Sequence, residues 1–334
     1  MKKYLFLAVC LLMMSAVANA ITVNKAMLVH NDQVTLYDGD QIQSAINAAS
    51  DGDAIYLTLG TFKPFNITKK VTIRGTGETS IIDGNVSISI PGSPKLTSPV
   101  MEGLAVSGTV TVGAQVDDMI LRKCKIANFG ISAQIDGAVL DRCYITNTLT
   151  LSSYIKGMTI VNTKLNDIRA NSGATQNTTF VNCNIYRIYV ANFSGTIINS
   201  IIQYSVNNNG NYNATDSSIL STVLLNTLWY SYSKYVTIGS SSVAQNCYYL
   251  SSSTQFTYNN STYYGLLNPL CECIFSTSQL QSKGYLGTDG TVVGIYGGET
   301  PYTLVPSVPK VTSSDLQLDN EKKELKVKLT VSPQ

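Results

Sequence analysis

The chain is short of charge. Asp, Glu, Lys and Arg make up 13% of its 334 residues, about half the roughly 25% usual in soluble domains. Acids are scarcest in the middle, where Asp216 and Glu272 are the only ones between Ile168 and Leu280. The formal net charge is +2, so there is no basic field to draw in nucleic acid or an anionic membrane. The chain has one histidine, His30, and one tryptophan, Trp229. With a single His far from the cysteines, no metal set is legible, and nothing calls for a cofactor. Long apolar runs are missing too. Beyond the first twenty residues, no segment could span a bilayer.

Those first residues read as a signal peptide. Lys2 and Lys3 precede the apolar "YLFLAVCLLMM", and "ANA" at 18–20 is a small-residue cleavage site. Cys10 sits too early in the apolar run to be a lipid attachment point. The mature chain, from about Ile21, is expected to be exported. It would be secreted, periplasmic or at the cell surface, with no membrane insertion after cleavage.

Asn, Ser, Thr, Tyr and β-branched residues fill the space that charge leaves, as in β-structure with a neutral polar surface. Three stretches echo one another: "LRKCKI" (121–126), "LDRCYI" (140–145) and "FVNCNI" (180–185). The underlying motif is apolar, any, polar or Gly, small, any, apolar. Its first position falls at Met101, Leu121, Leu140, Ile160, Phe180, Ile197 and Ile219. Its sixth reads Val106, Ile126, Ile145, Leu165, Ile185, Ile202 and Leu224, and a weaker copy starts at Ala244. A short strand pattern recurring every twenty residues or so predicts one coil of a β-solenoid, with like positions stacked about 4.8 Å apart. Position four includes Cys124, Cys143 and Cys183, predicted to be inward free thiols acting as small hydrophobes. Position eight (Gly108, Asn128, Asn147, Asp167) reads as a corner, because these residues tolerate the left-handed conformation. Position two starts with Glu102, Arg122 and Asp141, an outward charge ladder. It then turns to Val161, Val181, Ile198 and Leu220, an apolar strip that the tail from Thr300 or the longer loops are expected to cover, with a partner subunit as the rival cover.

The N-terminal "IQSAINAASDGDAIYLTLGTF", followed by "VTIRGTGETSIIDG", reads as a short amphipathic helix leading into strands. These residues resemble the opening of right-handed parallel β-helix proteins of the pectin-lyase-like superfamily. "GYLGTDGTVVGIYGG" (284–298) is similar to the segment that often closes such a helix. The resemblance implies an all-β, right-handed parallel β-helix with an N-terminal capping helix and an extended C-terminal tail. The boundaries expected are 1–20 signal peptide, 21–40 lead-in, 41–298 β-helix and 299–334 tail. In that tail "ELKVKLTV" (324–331) alternates as a half-buried strand does.

No catalytic residues are legible. Polygalacturonases of the superfamily carry clustered Asp motifs, a catalytic His and an Arg-x-Lys pair, none of which is present. A lyase site is most nearly suggested by Asp167 with Arg169 and Arg187, which also reads as a surface ion pair. Asp117, Asp118 and Asp136 read as turn residues. Cys271 and Cys273 leave a disulfide, a partnership with Cys247 or core filling open. Twelve tyrosines and Trp229 lie between 186 and 264. Trp229, Tyr230, Tyr232 and Tyr235 are the candidate sugar-stacking rings. The residues favour a non-catalytic, adhesin-like protein binding a polysaccharide or a surface protein over a polysaccharide lyase or glycoside hydrolase with a divergent site.

Overall fold

The computed structural model describes residues 24–170, 177–190, 193, 195–206, 223–231, 243–251, 255–258, 261–306, 310–319 and 324–332. The chain folds as a parallel β-solenoid. Two 12-stranded sheets run its length. Each coil passes from sheet one across a tight corner into sheet two, then returns along a short third side. That side includes Val116–Asp117 paired with Ile135–Asp136.

The predicted inner column forms. Val106, Ile126, Ile145, Leu165, Ile185 and Ile202 are neighbours in register, none more than 3% exposed. The seventh copy differs from the sequence expectation. Leu224 pairs with Ile197, a position-one residue, and Trp229 follows Ile202 in the inner column. The copy therefore opens at Leu224 rather than Ile219, and Leu225 rather than Leu220 follows Ile198 at position two.

The corner also lies elsewhere. Gly103, Lys123, Arg142, Asn162, Asn182, Asn199, Asn226 and Asn246 have φ between 44° and 62°. The left-handed turn therefore sits at position three, where Gly or Asn costs least. Asn128, Asn147 and Asp167 instead lie inside the strands Lys125–Ile131, Tyr144–Leu151 and Lys164–Ala170.

Position four holds more than small hydrophobes. Cys124, Cys143 and Cys183 are fully buried free thiols. Each S–H donates to the position-two carbonyl of its own coil. Thr163, Ser200 and Thr227 make the same bond through their hydroxyls. Ser200 Oγ also accepts the Cys183 N–H, and Thr163 Oγ1 the Cys143 N–H. The corner puts a carbonyl near the interior, and a short donor at position four satisfies it.

At the N-terminus, strands Lys25–His30 and Gln33–Asp38 form an antiparallel hairpin on strand Ala54–Leu57. Helix α1, Ile42–Ala48, buries Ile42, Ala45 and Ile46.

Residues 265–306 leave the coils and run back along the outside of the solenoid, holding helix α2, Thr277–Ser282, capped by Ser276. Asparagine side chains fasten this return segment. Asn162 Nδ2 donates to Ile295 O (3.1 Å) and Gly297 O (2.7 Å). Asn184 Nδ2 donates to Cys271 O, and Asn199 Oδ1 accepts the Thr288 N–H. Its end reaches the first coils, where Pro306 packs on Gly77 and Gly103. Leu304 and Pro306 thus lie by the charged part of the position-two ladder, not over Val161, Val181 and Ile198. Beyond it, strands Lys310–Asp319 and Glu324–Ser332 pair antiparallel.

Candidate binding cleft

Position five points outward from sheet two and changes character along the axis. It reads Ala105, Lys125, Tyr144, Lys164, Asn184, Ile201, Leu228 and Tyr248, all in register. Where it is Ile201 and Leu228, the return segment brings Leu266, Leu267, Leu280, Val292 and Val293 to make a second apolar core. Lys164 cannot join such a core, because a charge buried without a partner is far too costly.

There the return segment supplies partners instead. Lys164 forms an ion pair with Glu272, and Tyr296 donates its hydroxyl to the other Glu272 oxygen at 3.1 Å. The Lys164 ammonium lies 4.5 Å from the Tyr302 ring centre and 5.3 Å from that of Tyr144. Lys125 pairs with Glu78 at 2.9 Å. A cleft of about 560 Å³ opens beside this cluster, lined by Thr76, Glu78, Lys164, Tyr296, Tyr302 and Thr303 among others. Its size falls within the usual range for small-ligand sites. Tyr296 is 41% exposed and lines the cleft.

The two phenols beside Lys164 are poor bases. Burial raises Tyr144 to about 12 and pushes Tyr302 higher still, with Glu78 and Glu272 adding to the rise. Both phenols keep their protons at neutral pH. They can donate hydrogen bonds and offer ring faces, but they cannot accept a substrate proton.

Trp229, Asp167, Arg169 and Arg187, singled out from the sequence, are not among the residues lining this cleft. Trp229 is half-buried and packs against the interior core, which fits core filling rather than an outer sugar platform. Tyr230 lies on the same strand, Leu228–Ser231. Tyr232 and Tyr235 fall outside the described residues, as do residues 1–20. Asp167, Arg169 and Arg187 do come together. Arg187 Nε donates to Asp167 Oδ1 at 2.7 Å, and Arg169 Nη2 is 3.7 Å from Oδ2. Both guanidiniums also lie over Tyr189. Burial alone would lower the Arg187 pKa, but the Asp167 bond and charge raise it above its ordinary value.

At the position-two ladder, Asp141 takes both Arg122 and Arg142. Among the described residues, no group of three His, Cys, Asp or Glu side chains is arranged to hold a metal. Cys271 and Cys273 are free, and the Cys271 thiol donates to Leu165 O at 3.3 Å. Among the described residues, no helix is long and apolar enough to cross a membrane.

Sequence reasoning missed Lys164, Glu272, Tyr296 and Tyr302 as a group. The outward run Lys125, Tyr144, Lys164 was a readable signal, but Glu272, the ion-pair partner of Lys164, lies 108 residues away. No family model, curated protein or solved structure matches the chain. The fold shown is a parallel β-solenoid, and nothing in these comparisons attaches it to one superfamily.

Proposed function

We propose that the mature chain is an exported, non-catalytic, right-handed β-helix that binds glycan in the cleft between its coils and its return segment. Helix α1 caps the N-terminal end in this reading, and the tail beyond residue 298 reaches past the coils. The observation that carries the reading is the cleft itself. Tyr296, Tyr302, Thr76, Thr303 and Glu78 line one opening, and Glu272 holds Lys164 and Tyr296 beside it. Rings that stack on sugar faces beside a few fixed polar groups are what saccharide recognition requires. Lys164 and Glu272 neutralise each other, so a neutral or weakly charged sugar suits the site best.

A glycan array on the mature protein would identify the ligand class. Tyr296→Ala should then weaken binding to the best ligand about tenfold or more, equivalent to about 1.4 kcal/mol. No array signal, or a Tyr296→Ala variant that binds as well as the parent, would reject the cleft as a glycan site. The rival reading is a polysaccharide lyase built on Asp167, Arg169 and Arg187. Asp167 is occupied by arginine on both oxygens, an arrangement suited to an ion pair rather than to holding Ca²⁺. Unsaturated, ultraviolet-absorbing products from polygalacturonate, lost in Asp167→Ala or Arg187→Ala, would favour the lyase.

A further inference from the structure

The two ends of the solenoid are finished differently. At the N-terminal end the chain turns antiparallel, and α1 buries its apolar face against the core. At the other end sheet one stops at Val243–Gln245 and sheet two at Tyr248–Ser251. Among the described residues no strand pairs with the outer edge of either. Residues Val243, Ala244 and Gln245 are all exposed. Ala244 stands in the position-one column, where Phe180 and Ile197 are fully buried. This last rung therefore shows both unpaired backbone and the end of the interior column. Such an edge is a template for another strand.

The C-terminal hairpin is the complementary piece. Strands Lys310–Asp319 and Glu324–Ser332 form a two-stranded sheet paired only within itself. A lone hairpin is marginal in water and gains from a third strand. The start of its first strand cannot reach its own open end, so that strand cannot lie along that rung. Pro306 is held against Gly103, and four residues extend at most about 14 Å. The corner residues from Gly103 to Asn246 are separated by seven coil steps, about 34 Å at roughly 4.8 Å each.

We propose that the C-terminal hairpin of one copy adds to the open Val243–Ser251 rung of a second copy. The exchange is β-strand addition between identical chains. Reciprocal exchange closes a pair of antiparallel copies, and one-way donation extends a row.

Light scattering coupled to size exclusion tests this on the full mature chain and on a chain ending at Pro306. The full chain should run at twice the monomer mass or more, and the truncated chain as a monomer with unchanged β-structure by circular dichroism. Ala244→Lys in the full chain, which puts a charge on the open end, should also give a monomer. Leu36→Lys, on the N-terminal hairpin, should not. The proposal is overturned by a full chain monomeric at its highest soluble concentration. It is also overturned by a truncated chain that still associates, or by association lost through Leu36→Lys but not Ala244→Lys.

Discussion

Replacing Asn162 separates two roles that the asparagine ladder combines. Its backbone is in the left-handed region, at φ 45°. Its buried side chain gives two hydrogen bonds to return-segment carbonyls. Asn162→Ala loses both bonds, at about 1–1.5 kcal/mol each. It also forces an alanine to hold a left-handed conformation, at about 1–2 kcal/mol. The total is about 3–5 kcal/mol. Asn162→Gly removes the backbone strain, leaving about 2–3 kcal/mol. Asn182 provides the comparison. It has the same corner conformation, φ 52°, but its buried Nδ2 has no hydrogen-bond partner. Asn182→Gly should therefore change stability by less than about 1 kcal/mol.

Solenoids need not unfold in one step, so the readout should be local. Amide hydrogen exchange at Ile295, Gly297 and Gly298 reports detachment of the return segment. Asn162→Gly should speed that exchange about 30- to 160-fold, and Asn182→Gly hardly at all. Equal acceleration in both variants would mean that the corner conformation, not the side-chain bonds, holds the segment. No acceleration in either would mean that the apolar core around Leu266 and Val293 holds it alone.

Gly297→Ala should be strongly destabilising, because a Cβ there would lie 1.9 Å from Val292 O. Gly130→Ala, with open space at the same position, should leave the melting temperature unchanged or slightly higher. Iodoacetamide at pH 8 should leave the fully buried Cys124, Cys143, Cys183 and Cys271 unmodified in the native state and label the half-buried Cys247, as peptide mass mapping would show. Burial pushes Cys183 and Cys271 up to about 12 from 9.0. Their contribution is therefore complete below about pH 9 and lost as the pH rises toward 12, at about 1.4 kcal/mol per pH unit for each thiol. Urea denaturation between pH 8 and 12 should show that decline, and a Cys183→Ala, Cys271→Ala double variant should flatten it.

The solenoid was legible because stacking forces every coil to repeat the same inward positions. The register was lost at the seventh copy for a specific reason. Positions one and six are five residues apart, and Ile219–Leu224 fits that spacing as well as Leu224–Trp229 does. An aliphatic template prefers the first pair, whereas the chain uses the second and places the indole in the inner column. The corner was misplaced because Asn recurs at positions three and eight alike. Only the backbone shows that position three carries the left-handed turn. The thiols were placed correctly but underrated, since an S–H that satisfies a corner carbonyl gives the same sequence pattern as a small core residue.

The cleft depends on contacts that no local pattern encodes, yet its location follows from one column. Position-five side chains from Lys164 to Tyr248 point out of sheet two and meet the return segment. Ile201 and Leu228 let that segment close into a dry core. Lys125, Tyr144 and Lys164 do not, because a lysine beneath a close-packed apolar cover would lose its hydration with nothing in exchange. Over this part of the column the segment brings Glu272 and two tyrosines, whose polar groups and rings meet Lys164 beside the cleft. Lys164 is itself only 7% exposed, so the change from Lys164 through Asn184 to Ile201, three successive coils, marks where the cover turns from polar to apolar.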